Sequence, residues 1–295
     1  MSRVVLVTGS QGFVGRRVVA ELSRSPGTEV VCLVRRRPVE NRGTGIRLVH
    51  ADLHTEAGVK EIAQIRPDGV VHLAWDGLAD FRSPVHHNQV AHHARFLGAL
   101  VDAGVKRIVG VGTCLEYGLV EGELDESMPA RPVTAYAEGK TSLSEQVEHL
   151  TRVAGVSWCW ARVFYPYGPG QQPKSLWSSL HTAIDRGDPE FPMSGGLQVR
   201  DYLHISEVGR ILARLAQNDL ATGPINVCSG EPVTVGELVE RWIAERKSTI
   251  RPKLGVYPYP DYEPMSFWGS TRTLEAALTP AATAEEVGTL SDNGC

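Results

Sequence analysis

Val4-Val5-Leu6-Val7-Thr8-Gly9-Ser10-Gln11-Gly12-Phe13-Val14-Gly15 is the stretch on which the fold turns. Its first four residues are an apolar run that predicts a buried strand, and a tight turn and a helix follow. The glycines at 9, 12 and 15 are spaced G-x-x-G-x-x-G. Gly9 permits a turn that a β-carbon would obstruct. Gly12 lets backbone N–H groups approach a pyrophosphate, and Gly15 lets the helix pack close to the strand. The helix N-terminus then presents its positive dipole end to the phosphates. Gly9, Gln11, Gly12, Phe13, Val14 and Gly15 are therefore candidate cofactor-binding residues. A plain strand–turn–helix corner is the competing reading, and context argues against it. The helix is amphipathic through Val14, Val18, Val19 and Leu22, and residues 29–34 form a second strand about 20 residues on.

Working outward, strand-like runs alternate with helical patterns. Residues 47–53, 69–74, 107–112 and 156–162 read as strands, with helices at roughly 56–65, 86–103 and 134–153. This is an α/β pattern and predicts a Rossmann-type, doubly wound parallel sheet over residues 1–164. From about residue 165 Pro and Gly become dense and the elements shorten. Residues 165–280 are expected to form mainly a smaller C-terminal substrate-binding lobe, with segments returning to the first domain. Residues 201–205 and 224–227 look like further short strands. Residues from 274 on read as a weak helix and a frayed tail, with 281–295 flexible.

The chain has 295 residues and a net charge of −4, which gives no reason to propose nucleic acid or an anionic membrane as a partner. No apolar run approaches the length needed to span a bilayer. The N-terminus enters a strand at once, without a signal-peptide pattern. The cysteines at 32, 114, 159, 228 and 295 are scattered and form no C-x-x-C pair. Such a set fits a reduced, cytoplasmic setting better than a disulfide framework.

The second strand ends Leu33-Val34-Arg35-Arg36-Arg37, where folds that prefer NAD place an acid for the ribose hydroxyls. Arg35 and Arg36 are instead placed to pair with a 2′-phosphate, which favours NADP(H). A solvated turn is the alternative for these arginines. Asp52 and Leu53, closing the third strand, would flank an adenine; capping the next helix is the alternative for Asp52.

Tyr136 and Lys140 stand at i and i+4 and share a helix face. An ammonium beside a phenol lowers its pKa toward the range useful for acid–base work. Thr113, ending the fifth strand, is placed to hydrogen-bond a substrate oxygen beside Tyr136. The tryptophans 158 and 160 share one strand face and are expected to pack core. His86, His87, His92 and His93 lack the i, i+4 spacing of a helical zinc site, so no metal is expected.

Gly9-x-x-Gly12-x-x-Gly15, His72-Leu73-Ala74, Thr113 with Tyr117-Gly118, Tyr136-x-x-x-Lys140 and Arg200-Asp201-Tyr202 together resemble the extended short-chain dehydrogenase/reductase family, over roughly residues 3–245. Residues 72–75, 112–118, 193–202 and 226–230 are most similar to its bacterial dTDP-4-keto-6-deoxyhexose 4-ketoreductases. The resemblance implies NADPH as hydride donor and a nucleotide-sugar substrate. Thr113, Tyr136 and Lys140 would be the catalytic residues, and Leu73, Ala74 and Trp75 would join Tyr136 and Lys140 on the cofactor. It implies a homodimer through helices at about 86–103 and 134–153. Cys114, without a paired His in the motif, reads as a small packing residue beside Thr113 and would border the substrate. Arg162 or Arg200 would clamp the diphosphate, an inter-lobe salt bridge being the alternative for each, and Lys174 and Ser175 would line the same cleft.

One departure narrows the chemistry. The family's 4,6-dehydratases carry two carboxylates after the catalytic Thr; here stand Cys114 and Leu115, and Glu116 is expected to point to the other face of an extended backbone. A nucleotide-sugar epimerase with tightly held NAD is the alternative enzyme. A redox-sensing NADP module is the non-enzyme alternative, and it would have no need of Thr113, Tyr136 and Lys140 together.

Overall fold

Seven strands hydrogen-bond in parallel to make the central sheet: β1 (Arg3–Thr8), β2 (Thr28–Val34), β3 (Ile46–His50), β4 (Gly69–His72), β5 (Arg107–Thr113), β7 (Ser157–Val163) and β11 (Gly223–Val227). The computed structural model describes residues 2–35 and 45–279. Among the described residues, seven shorter strands lie outside this sheet: β6 (Gly122–Leu124), β8 (Tyr165–Tyr167), β9 (Glu190–Pro192), β10 (Val199–His204), β12 (Pro232–Thr234), β13 (Arg251–Lys253) and β14 (Phe267–Gly269). The helices are α1 (Phe13–Leu22), α2 (Glu56–Ala63), α3 (Val85–Asn88), α4 (Val90–Asp102), α5 (Ala135–Ala154), α6 (Leu176–Arg186), α7 (Ile205–Gln217), α8 (Val235–Glu245) and α9 (Arg272–Leu278).

The spatial order is β11-β7-β5-β4-β1-β2-β3. Chain order reverses between β1 and β4, and that switch opens a crevice beyond the carboxyl ends of the strands. The buried runs of β1, β2, β4 and β5 are apolar on both faces because helices cover both. Val18, Val19 and Leu22 of α1 and Ile205, Val208 and Leu212 of α7 fill one side. Ile62 of α2, Phe96, Leu97 and Leu100 of α4, and Leu143 and Val147 of α5 fill the other. Trp160 lies wholly buried in that second layer, with Trp158 packed at its edge.

Residues 224–227 belong to the edge strand of the main sheet, β11, paired with β7, and not to the short sheets around them. The predicted long helix over 86–103 is two helices, α3 and α4, broken at Gln89. Leu180, Phe191, Leu238, Val239 and Trp242 form a separate small core under α6 and α8. The segment 281–295 lies outside the described residues.

Helix ends follow local chemistry. Thr134 caps α5 by accepting the Ala137 N–H at 3.2 Å, and Gly155 closes the helix in the left-handed conformation. Helix α1 differs: its N-cap is Gly12, no side chain caps it, and no acid occupies its first turn. Its first N–H groups are left for another partner.

Candidate active site

The carboxyl ends of β1, β4, β5 and β7 and the short β8–α6 segment enclose a cleft of ≈ 1630 Å³. Gly9, Gln11, Gly12, Phe13, Val14, Gly15, Arg35, Leu53, Leu73, Ala74 and Trp75, the residues expected at the cofactor, line this cleft, and so do Thr113, Cys114, Tyr136, Lys140, Lys174 and Ser175.

The glycine turn is an obligatory shape. A β-carbon on Gly9 would lie 2.9 Å from the Ala74 nitrogen, one on Gly12 would lie 3.1 Å from the Gly9 carbonyl oxygen, and one on Gly15 would lie 2.1 Å from it. Gly9 also takes φ +64°, where L side chains are strained. With the uncapped N-terminus of α1 opening into the same cleft, this cradle fits a pyrophosphate.

A buried polar chain holds the β4 loop against that cradle. Thr8 Oγ1 accepts the N–H groups of Leu73 and Ala74, both at 3.1 Å, so its proton goes to His72 Nδ1 at 3.0 Å. Gln89 donates to the Asp76 carbonyl at 3.1 Å and accepts the Asp76 N–H at 3.0 Å. Its amide oxygen therefore also accepts from His93 Nε2, 3.2 Å away. Between the two ends, His72 Nε2 donates to His93 Nδ1 at 2.9 Å. Both imidazoles are neutral, because burial holds His72 well below its usual range and His93 down to about 3. His86 is also buried: Trp75 Nε1 donates to its Nδ1 at 3.0 Å, and its Nε2 donates to the Asp80 carbonyl at 2.9 Å.

Lys140 Nζ donates to the Val111 carbonyl at 2.7 Å and lies 4.1 Å from the centre of the Trp75 ring. Burial lowers its pKa to about 7, partly offset by Glu116. The expected depression of the Tyr136 phenol by this ammonium is not what the packing produces. Burial, and then the neighbouring Glu116 and Cys114, push Tyr136 up, and a hydrogen bond with Thr113 acts against them. Phe81 stacks on Tyr136, ring centres 4.9 Å apart.

The sequence Cys114–Tyr117 is a 3₁₀ turn rather than extended backbone. Glu116 swings beneath Thr113, accepts its N–H at 2.9 Å, and is fully buried. Trp160 Nε1 and Arg162 Nε donate to the same carboxylate at 3.0 Å each. Arg162 therefore does not line the cleft; it neutralises Glu116 and lies over the Tyr117 ring. Arg200 is likewise withdrawn. It is 2 % exposed, donates to the carbonyls of Val199 and Met265, and pairs with Glu263 at 2.9 Å. A guanidinium so engaged has no fork left for a diphosphate. Asp52 is not a lining residue either: its carboxylate accepts the His54 N–H at 2.9 Å, opening the turn whose cap is Thr55. Arg35 lines the cleft, but Asp76 holds it in a two-armed pair of 2.9 and 2.7 Å. Arg36 lies outside the described residues.

Sequence reasoning missed Glu263. It lines the cleft, and Arg200 fixes one of its oxygens. The Tyr165 hydroxyl, also on the cleft wall, is buried without a hydrogen-bond partner. The other end of the cleft is aromatic, with Tyr167 and Trp242 rings 5.1 Å apart and Trp177 nearby.

A switch-point crevice with a glycine cradle, and Thr, Tyr and Lys at the end of β5 and on α5, defines a dinucleotide-dependent α/β enzyme. The chain belongs to the NAD dependent epimerase/dehydratase family, whose model matches residues 5–228. It is 28% identical over 269 residues to a dTDP-6-deoxy-L-talose 4-dehydrogenase (NAD(+)) of Aggregatibacter actinomycetemcomitans, covering 90% of this chain and 99% of that protein. It is 26% identical to the UDP-glucose 4-epimerase of Bacillus subtilis (strain 168), covering 80% of each. The solved structure of MoeE5 in complex with UDP-glucuronic acid and NAD superposes with a TM-score of 0.79 at 30% identity, over 93% of this chain and 92% of that one. Relatives of this kind are nucleotide-sugar dehydrogenases, epimerases and dehydratases.

Proposed function

We propose that this chain reduces the C4 ketone of a dTDP-4-keto-6-deoxyhexose, with NADPH as donor, in the cytoplasm and as a homodimer through α4 and α5. The observation that carries the reading is the pair after Thr113. Cys114 is a buried thiol pushed far above its usual range, Leu115 is apolar, and Glu116 is turned away and neutralised. Water elimination needs an acid and a base at adjacent carbons, and neither is present there. What remains suits a reaction at one oxygen.

The cofactor, when bound, supplies the hydride. Gly9, Gly12, Gly15 and the N-terminus of α1 would hold its pyrophosphate, and Trp75, beside Lys140, would line the cofactor side of the cleft. Thr113 orients the C4 oxygen, Tyr136 delivers its proton, and Lys140 steadies the ribose and Tyr136. Among the cleft cations, Arg16 and Lys174 have no carboxylate partner among the described residues; Lys174, beside Ser175, is the one assigned to the sugar-nucleotide diphosphate, with the base among Tyr167, Trp177 and Trp242.

Purified protein is mixed with dTDP-4-keto-6-deoxyglucose and either NADPH or NADH, and absorbance near 340 nm is followed. Oxidation that drops by a factor of about 10³ in Tyr136→Phe, with cofactor binding intact, supports the reading. Full activity in Tyr136→Phe would sink it. The epimerase alternative keeps one supporting observation, the carboxylate of Asp76 beside the ribose end of the cleft; a purified protein that carries NAD and interconverts nucleotide sugars without net oxidation would establish it.

A further inference from the structure

Arg35 closes β2 at the ribose end of the cleft, yet both arms of its guanidinium are taken by Asp76, at 2.9 and 2.7 Å. Asp76 comes from the loop after β4, on the far side of β1, so the pair bridges two walls of the cofactor half of the cleft. Its position is not left to chance. Gln89 grips both the N–H and the C=O of Asp76, and His93, His72 and Thr8 lock Gln89 in turn. The carboxylate that the end of β2 lacks is thus supplied by the loop after β4.

We propose that Asp76 is the residue that sets cofactor choice, by occupying Arg35 and placing its own negative charge where a 2′-phosphate would have to sit. Arg35 by itself would favour NADP(H), because a guanidinium fork matches a phosphate dianion. To use that fork, the phosphate must displace Asp76 and tolerate its charge. NAD(H), with a neutral 2′-hydroxyl, keeps the ion pair and can donate to Asp76. The pair therefore narrows the gap between the two cofactors instead of creating a strict NADP enzyme. Specificity here is a difference built partly from repulsion.

The inference rests on the dinucleotide reading of the cleft. Dissociation constants of NADPH and NADH are measured by titration calorimetry and by quenching of tryptophan fluorescence, for the wild-type chain, Asp76→Asn and Asp76→Asn/Arg35→Ala. Gln89 holds the backbone of residue 76, so Asp76→Asn keeps the loop anchored. We expect Asp76→Asn to tighten NADPH about tenfold and leave NADH within about twofold, the size of one freed charged contact. The double variant should lose that gain. Unchanged NADPH affinity in Asp76→Asn, or equal shifts for both cofactors, overturns the proposal. A persistent gain in the double variant also overturns it, since Arg35 would then not be the beneficiary. A wild-type chain that binds neither nucleotide overturns the proposal together with the dinucleotide reading.

Discussion

Replacing Lys140 by Met tests the electrostatics of the active site through stability alone. In the folded chain the ammonium is buried against Val111 and Trp75, and its pKa falls from 10.5 to about 7. The unfolded chain keeps the ordinary value. Between about pH 7 and 10.5 the unfolded state therefore holds more protons than the folded one, and stability rises with pH across that window. Below about pH 7 both states are charged and the full desolvation penalty is present. Each pH unit in the window is worth about 1.4 kcal/mol, so the whole gap amounts to at most about 5 kcal/mol. Lys140→Met removes this dependence along with the charge. Urea unfolding of both proteins at pH 7 and pH 9 should show the wild type gaining about 2.5 kcal/mol on the variant at the higher pH. This difference of differences cancels the packing lost with the side chain, which is the same at both pH values, and leaves the change in charge of Lys140 against Val111 and Trp75, which the lowered pKa already contains. A gap between the two proteins that stays within about 0.5 kcal/mol from pH 7 to 9 would refute the argument, because Lys140 would then keep an ordinary pKa in the fold.

Two further outcomes are expected. Glu263→Gln keeps the shape but removes a cleft carboxylate; binding of dTDP-glucose should weaken about tenfold while dTDP itself binds as before or tighter, by calorimetry, because a carboxylate reads hydroxyls and repels phosphate. Equal weakening of both would mean that Glu263 acts only by holding Arg200. Gly15→Ala drives a β-carbon to 2.1 Å from the Gly9 carbonyl. It should abolish measurable NAD(P)H binding and lower stability by about 1–3 kcal/mol through overpacking, and retained binding would show that the glycine corner is not the cradle.

Residues close in sequence were readable, and residues distant in sequence were not. The strand–glycine–helix corner, the alternation that builds the sheet and the shared face of Tyr136 and Lys140 are all settled within one or two turns of chain. The end of β5 and its Thr113 follow from the same local pattern. The four capped or glycine-closed ends of α5 and α6 are equally local.

What a charged side chain does depends on what lies across from it, and composition does not reveal that. Arg35 meets Asp76 across 41 residues, Arg162 meets Glu116 across 46, and Arg200 meets Glu263 across 63. Each arginine looked available for phosphate as long as its partner was unknown. The same holds for the histidines, whose order in a one-way hydrogen-bond chain exists only because β1, β4 and α4 meet. The sequence by itself determined the fold class, the glycine corner after β1 and the placing of Thr113, Tyr136 and Lys140 at the end of β5 and on one face of α5, because those rest on backbone sterics and helix periodicity. Only the tertiary structure decided which charges remain free to meet a ligand, because a guanidinium, buried at Arg162 and Arg200 and exposed at Arg35, takes the carboxylate that the fold brings to it.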